Sequence, residues 1–181
     1  MAGLGPVRHL IAPNWIHYAC IGEWQALFPD ALSYAAPGVV ERALKHGMAL
    51  HFDSALTDNP AVAWAGQIDQ LIVKSSLIHR EAVFFHIATK TLILTDLIEN
   101  FPARLLPFWM RPFAWLGGVL APDGAIPRDM RRTFRDRDAL RMSVERMIAW
   151  GPTRIILAHG DWYRQDGVKQ LKRAFSRALG R

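Results

Sequence analysis

The chain has 181 residues, of which 51% are hydrophobic and 21% charged, a balance that supports a sizeable core and excludes a largely disordered protein. We expect one domain over residues 1–181. Cys20 is the only cysteine, which excludes an intramolecular disulfide and a thiolate zinc cluster and favours a reducing, cytoplasmic setting. No secretory signal is visible, and Arg111 and three prolines interrupt the apolar stretch 105–122, so no membrane-spanning helix is expected.

The formal net charge of +6 is unevenly distributed. Residues 1–103 carry 6 basic and 9 acidic side chains, whereas residues 104–181 carry 16 basic and 7 acidic ones. Such a positive half can attract phosphates or anionic lipid. Its arginines lie at helical spacings and not in one run, which favours a solvated helix face, and we expect no nucleic-acid partner.

Taken in chain order, apolar β-branched runs alternate with longer helical patterns, which predicts an α/β layered domain. Up to residue 100 the sequence predicts strands at 7–11, 32–35, 68–73, 82–86 and 91–95, helices at 15–28 and from Pro37 to about Lys45, and a long loop with one short strand over 48–66. We expect Asn14 to cap the first helix, whose apolar face would be Ile16, Cys20, Trp24 and Leu27. The unbroken apolar runs 82–86 and 91–95 indicate a central hairpin covered on both faces.

Beyond residue 100 the sequence predicts an irregular, proline-rich helical region over 101–120, an amphipathic helix over 137–150, a strand over 154–158 and a last helix over 168–179. The two helices would turn inward Leu140, Val144, Met147 and Ile148, and Leu171, Phe175 and Leu179, respectively. The region 101–120 places Trp and Phe beside Arg111, a composition that suits a membrane interface or a lid over a pocket. Because Arg111 stands alone, we favour a lid or core position.

Polar side chains follow three of the predicted strands. Asn14, with His17 just beyond it, follows the first strand, Asp96 follows 91–95, and His159 follows 154–158. Ligands gather at the carboxyl ends of strands in layered α/β sheets. One carboxylate and two imidazoles could bind a transition metal or form an acid–base pair. Asp96 could instead cap the next segment, His159 could bond to a turn, and His17 could pack or cap.

Several segments together resemble a known group of proteins. They are Ala12-Pro13-Asn14 with His17, residues 22–31 ending in Phe28-Pro29-Asp30-Ala31, Val83-Phe84-Phe85-His86, residues 91–101, residues 132–137, and Leu157-Ala158-His159-Gly160. In this order they resemble the metallo-β-lactamase fold superfamily, and more closely an uncharacterised bacterial and plant family at its edge, a domain of unknown function. The resemblance covers nearly the whole chain.

The resemblance implies an αββα sandwich whose first strands are missing, which would expose a sheet edge and allow a homo-oligomer to form. The superfamily signature H-x-H-x-D-H falls on residues 13–18, which read Pro-Asn-Trp-Ile-His-Tyr and keep one histidine. By resemblance, Asp96 takes the place of the metal-bridging aspartate and His159 that of the last histidine. His79 lies near the position of a mid-chain ligand, in an uncertain register.

These departures imply a degenerate member of the superfamily, without a dinuclear zinc site. One transition metal (zinc, iron or manganese) could bind through His17, Asp96 and His159, or the pocket could hold no metal. The implied activity is metal-assisted hydrolysis of an ester, thioester, lactone or phosphoester, with Asn14 orienting water or substrate. The partner would be a small-molecule ligand.

Two other interpretations remain open. The chain could be a non-catalytic protein that binds a small anion in the same pocket through Arg131, Arg132 and Arg135. It could also associate peripherally with membranes through residues 105–120, although a membrane partner is not expected. Glu99 could line the mouth of the site, but a surface position is favoured, and His86 is expected at the interior or edge of the sheet.

Overall fold

The computed structural model describes residues 5–74, 76 and 79–176. These residues form seven strands, His9–Ala12 (β1), Leu32–Ala35 (β2), Ser54–Ala55 (β3), Ile68–Val73 (β4), Glu81–His86 (β5), Thr91–Leu94 (β6) and Arg154–Leu157 (β7). They also form six α-helices, Ile21–Leu27 (α1), Val39–Lys45 (α2), Arg111–Gly117 (α3), Arg128–Thr133 (α4), Arg137–Ala149 (α5) and Gly167–Ala174 (α6). A short 3₁₀ helix spans Ala103–Leu105.

The strands form two sheets. In the first, β1, β2 and β3 lie side by side and run parallel. In the second, the order is β4-β5-β6-β7, with antiparallel pairs up to β6 and a parallel pair β6–β7. The predicted central hairpin is therefore confirmed, and each of its strands has a neighbour on both sides.

Alternate residues of the second sheet enter two different cores, as the period of a strand requires. On β4, Leu71 and Val73 pack with buried residues of α5 and α6, whereas Ile72 packs with residues of the first sheet and α2. The α5 and α6 residues in the first of these cores are Leu140, Val144, Met147, Leu171 and Phe175. Helices thus cover the outer faces of two facing sheets, which gives the expected αββα layering.

A backbone hydrogen bond joins the two sheets just beyond the carboxyl end of β1. The Ala82 N–H donates to the Pro13 carbonyl oxygen at 2.8 Å. Pro13 directly follows β1, and Ala82 is the second residue of β5. The bond therefore brings Asn14 beside Glu81, although they lie in different layers.

The first helix is shorter than the sequence predicts. Helix α1 begins at Ile21 and not at residue 15, and Ile21 is its buried residue. The side chains expected to face inward, Ile16, Cys20, Trp24 and Leu27, are exposed. The predicted face was wrong because residues 15–20 form turns, which shifts the helical register. The last helix is confirmed up to Ala174, and Leu171 and Phe175 are buried as expected, whereas Leu179 lies outside the described residues.

The aromatic region is not buried as a core element. Between residues 105 and 116, seven large apolar side chains are exposed, with Phe108 at 79% and Trp115 at 68%. They are Leu105, Phe108, Trp109, Met110, Phe113, Trp115 and Leu116, called here the aromatic segment. The expectation of core packing is wrong for this segment, because α3 is a two-turn helix without a buried residue. None of the described helices is long and apolar enough to cross a membrane.

The α5 helix offers a matched test of the core. Met147 is fully buried, whereas Met142 on the same helix is 65% exposed. We expect Met147→Ala to lower the free energy of unfolding by about 2–5 kcal/mol, through lost burial and the cavity left behind. Met142→Ala should change it by less than about 0.5 kcal/mol. Urea denaturation of both variants measures this, and equal losses would contradict the packing.

Candidate metal centre

Parallel pairing of β6 and β7 brings Asp96 and His159 together. The two strands are in register with Leu94 opposite Leu157, and each site residue lies two positions further on. Both side chains therefore emerge at the same carboxyl edge of the sheet. His17 reaches them from the turn that follows β1 in the other sheet.

Three potential ligand atoms from these segments form a tight triangle. His17 Nε2 lies 3.0 Å from Asp96 Oδ1, His159 Nε2 lies 2.9 Å from the same oxygen, and the two nitrogens are 3.1 Å apart. The Asp96 side chain is 4% exposed, whereas those of His17 and His159 are 31% and 35% exposed. The carboxylate therefore forms the floor of the site, and the imidazoles line its mouth.

Without a metal, hydrogen bonds satisfy this triangle in one crowded way. Each Nε2 either carries a proton or presents a lone pair. If both are protonated, both N–H groups donate to Asp96 Oδ1 and lie side by side, with their nitrogens 3.1 Å apart. If one is not, its lone pair faces a carboxylate oxygen across 2.9 or 3.0 Å. A bound cation would accept all three lone pairs without this crowding.

The donor set and its spacing fit a transition metal. Bonds of about 2.0–2.2 Å place neighbouring ligands about 3.3–3.6 Å apart around a tetrahedral ion and about 2.8–3.1 Å apart around an octahedral one. The observed distances of 2.9–3.1 Å fall in or just below these ranges. Imidazole and carboxylate together suit zinc, iron and manganese. His17, Asp96 and His159 thus form a group able to hold a metal ion.

Asn14 connects the turn to the carboxylate. Its Oδ1 accepts hydrogen bonds from the backbone N–H groups of Ile16 and His17, both at 2.9 Å, and its Nδ2 donates to Asp96 Oδ2 at 2.7 Å. The expected helix cap is thus wrong, because these bonds close a turn four residues before α1 begins. The fully buried amide orients both His17 and Asp96.

Glu81 is a site residue that the sequence analysis missed. Its fully buried carboxylate accepts hydrogen bonds from two consecutive backbone N–H groups, Thr95 at 2.7 Å and Asp96 at 2.9 Å. Asn14 Nδ2 lies 3.5 Å from it. One feature of the sequence could have indicated this role: Glu81 is an acidic residue directly before the apolar run 82–85. It is the first residue of β5 and pairs with Val73 of β4. Such a carboxylate must be buried with its donors.

His79, whose register was uncertain, lies next to Glu81. Its Nε2 is 3.3 Å from Glu81 Oε2, and its backbone N–H donates to Ser76 Oγ at 3.0 Å. His79, Glu81 and Asp96 are all buried and form a second group that could hold a cation. Because the Glu81 oxygens already accept backbone N–H groups, we interpret this group as the support of the first one.

The charges of the site stabilise one another. A hydrogen bond to Asp96 raises the pKa of His17 above its usual value, although partial burial opposes the shift. Burial would raise the pKa of Asp96, but the hydrogen bond to His17 and the adjoining imidazole and amide groups lower it overall. Asp96 therefore stays ionised and is available as a ligand.

A close backbone contact fixes the position of His159. The Asn100 N–H donates to the His159 carbonyl oxygen at 3.0 Å. The centres of the Phe101 and His159 rings are 6.2 Å apart. Gly160 follows with φ of +93°, and a Cβ atom there would lie 2.0 Å from the Asn100 oxygen. Only glycine fits this position, which explains the Ala-His-Gly sequence at the strand end.

Glu99 is partly buried near the site and not at the open surface. Burial, the Asp96 charge and the Asp129 charge raise the pKa of Glu99 to about 7. Its backbone N–H donates to the Ala125 carbonyl oxygen at 3.2 Å.

His86 has a partner outside the site, since its Nδ1 lies 2.8 Å from Thr89 Oγ1.

Arg131, Arg132 and Arg135 do not join this group of residues. All three line a separate cavity, and His17, Asp96 and His159 are not part of its lining. The sequence analysis placed these arginines in the same pocket as the candidate ligands. In the described part of the chain they line a different cavity.

Comparison with solved structures identifies the fold. The chain is similar to a metallo-beta-lactamase from Erythrobacter litoralis (TM-score 0.63, 14% identity, covering 100% of this chain and 72% of that one). It is also similar to one from Pontibacter korlensis (0.60, 12%, 97% and 71%) and to FIM-1 from Pseudomonas aeruginosa in a mono-zinc form (0.62, 12%, 97% and 67%). Neither a protein-family model nor a curated protein matches the sequence.

The chain therefore has the metallo-β-lactamase fold, as the resemblance of its sequence implies. At these identities the likeness establishes the fold and leaves the activity open. The narrower resemblance, to a domain-of-unknown-function family with degenerate ligands, stays a prediction.

Removal of the Glu81 carboxylate tests its structural role. We expect Glu81→Ala to lower the free energy of unfolding by about 3 kcal/mol or more, because two buried N–H groups lose their acceptor. Glu81→Gln should lose less, since it keeps one oxygen. Glu145→Ala, an exposed glutamate on α5, is the control. Chemical denaturation without metal measures all three, and a Glu81→Ala loss no greater than that of the control would contradict the role.

The raised pKa of Glu99 predicts a pH dependence of stability in metal-free protein. The folded state holds this proton more tightly than the unfolded state, so the stabilising effect is present at low pH and is lost as pH rises towards about 7. Glu99→Gln keeps a neutral side chain at every pH. We therefore expect its free energy of unfolding, relative to wild type, to be higher at about pH 8 than at about pH 5. A difference that does not change with pH would contradict this.

Proposed function

We propose that the chain is a metal-dependent hydrolase with a mononuclear site formed by His17, Asp96 and His159. The observation that carries the proposal is the triangle of their ligand atoms, with sides of 2.9, 3.0 and 3.1 Å. These residues come from three segments that are distant in sequence and belong to two sheets. The mono-zinc form of FIM-1 supports it, as an example of this fold with a single zinc ion.

A divalent transition metal supplies Lewis acidity, which polarises a carbonyl or phosphoryl oxygen and makes water a stronger nucleophile near neutral pH. The protein supplies position and charge. Asp96 contributes a buried negative charge, and the rings of His17 and His159, each about one-third exposed, leave one side of the site open to substrate. Asn14 has partners at both ends of its amide, so it acts on substrate through the two residues that it holds.

An apolar cavity of about 480 Å³ lies beside the proposed centre, although His17, Asp96 and His159 are not themselves part of its lining. We propose that it takes an apolar acyl group of the substrate. Pro13, Thr95 and Ala158 are part of its lining, and each directly precedes a site residue, Asn14, Asp96 and His159, respectively. The rest of the lining is mostly aliphatic and aromatic, including Ile93, Phe84 and Trp64. Apolar walls match the acyl part of an ester, thioester or lactone better than the charged group of a phosphoester.

Metal content measured by inductively coupled plasma mass spectrometry tests the site independently of activity. After incubation with zinc, iron or manganese and removal of the excess, we expect about one equivalent bound by the wild type. Asp96→Ala and His159→Ala should retain less than about a tenth of that amount, because each removes a ligand. His86→Ala, a histidine outside the group, should bind like the wild type.

Hydrolysis of acyl esters, thioesters and lactones by metal-loaded protein tests the activity. We expect kcat/KM to fall by about 100-fold or more in His159→Ala and by about 10–100-fold in Asn14→Ala, which disturbs the support of the ligands. Less than about a tenth of an equivalent of each metal on the wild type would reject the metal site. Stoichiometric metal without hydrolysis of any of the three acyl classes would reject the substrate class while leaving the site intact.

A further inference from the structure

A second cavity, of about 840 Å³, is strongly basic. Six arginines line it, and Asp123 is the only acidic residue among its lining residues. They are Arg128, Arg131, Arg132, Arg135, Arg137 and Arg173, and we call the space the arginine cavity. Its lining thus has a formal excess of five positive charges. No residue of the candidate metal centre is part of it.

Most of these charges have no carboxylate partner. Arg128, Arg132, Arg135 and Arg137 form no side-chain ion pair or hydrogen bond with a described residue. Asp123 Oδ1 lies 3.5 Å from Arg173 Nη1. Because the Asp123 side chain is 77% exposed, water screens its charge, and it offsets little of the positive potential. Like charges grouped in a concave space repel one another and concentrate the field, which raises the local concentration of anions.

Arg173 is held in place at one wall. It donates from Nη2 to the carbonyl oxygen of Gly124 and to the Tyr163 hydroxyl, both at 3.0 Å, and from Nε to Gln170 Oε1 at 3.1 Å. The Arg173 side chain is therefore already ordered before a ligand binds, and the entropy cost of binding is lower.

The floor of the cavity is apolar. It includes the buried side chains Ile126, Phe134, Leu140 and Phe175. A space of this size exceeds the needs of a single phosphate ion and falls in the range of small-molecule sites. Its occupant should therefore combine several negative charges with additional, less polar atoms.

We propose that the arginine cavity binds a ligand with two or more phosphate charges, at a site separate from the candidate metal centre. Guanidinium groups match phosphate oxygens with paired, charge-assisted hydrogen bonds. The arginines come from α4, the segment between α4 and α5, the start of α5, and α6, so a ligand would tie these elements together. The proposal does not depend on hydrolysis at the metal centre.

Phosphate of this kind can come from a free compound or from a lipid headgroup. The structure gives a reason to test both, because Gly117 and Gly118, at the end of α3, line the cavity. The exposed aromatic segment therefore adjoins the arginines, and such a neighbourhood also suits an anionic membrane surface.

Isothermal titration calorimetry of the full chain with inorganic pyrophosphate tests the free source. Flotation with phosphatidylcholine vesicles, with and without phosphatidylinositol phosphate, tests the lipid source. The test variant is Arg132→Gln with Arg135→Gln. The control is Arg141→Gln with Arg154→Gln, which removes the same charge from exposed residues outside the cavity. Circular dichroism confirms that both variants are folded.

We expect the cavity variant to bind pyrophosphate at least about tenfold more weakly than the wild type, and the control to stay within about twofold. Pyrophosphate binding fails if the phosphate source is a lipid. In that case we expect the wild type and the control to float only with vesicles that contain phosphatidylinositol phosphate, and the cavity variant not to float; this result would support the site with a lipid headgroup as its ligand. Absence of binding in both experiments would overturn the proposal. Equal losses in the two variants would also overturn it, because they would show attraction by net charge alone.

Discussion

A buried carboxylate at the start of β5 fixes the geometry on which the candidate metal centre depends. Glu81 accepts the backbone N–H groups of Thr95 and Asp96, and so determines how the chain turns as it leaves β6. The inter-sheet bond between Ala82 and Pro13 then brings Asn14 against the same carboxylate. A single buried group thus aligns segments of both sheets at one edge.

Burial of this carboxylate has an electrostatic consequence. Glu81 and Asp96 place two acidic groups side by side where water is largely excluded, and both need compensating donors or positive charge. Backbone N–H groups and Asn14 supply part of this compensation, and the hydrogen bond to Asp96 raises the pKa of His17, which favours a positive charge beside the carboxylate. A metal cation would compensate the charge more fully, because it would contact Asp96 and both imidazoles at once.

Local patterns in the sequence predicted the α/β class, most of the strands and the proximity of His17, Asp96 and His159, which the structure brings together. A polar residue directly after an apolar strand lies at the carboxyl edge, so Asp96 and His159 could be placed together. The start of α1 and the role of Glu81 could not be predicted in the same way. The first depends on the turn that Asn14 closes, and the second on pairing between segments distant in sequence.

Asn100 contacts the surroundings of both candidate sites. The Asn100 N–H bonds to the His159 carbonyl oxygen, while its Oδ1 accepts the N–H of Gly124, next to the lining of the arginine cavity. Tyr163 and Arg173 donate to the carbonyl oxygen of the same residue, Gly124. Asn100 and Gly124 thus connect the surroundings of the two proposed sites, whose side chains carry opposite charges.

A crystal structure of zinc-loaded protein, with anomalous data collected on both sides of the zinc absorption edge, tests the metal centre most directly. We expect one strong anomalous peak bonded to His17 Nε2, His159 Nε2 and Asp96 Oδ1, with Glu81 still bound to the Thr95 and Asp96 N–H groups. A peak elsewhere, or the three side chains pointing apart without a metal between them, would contradict the proposed centre.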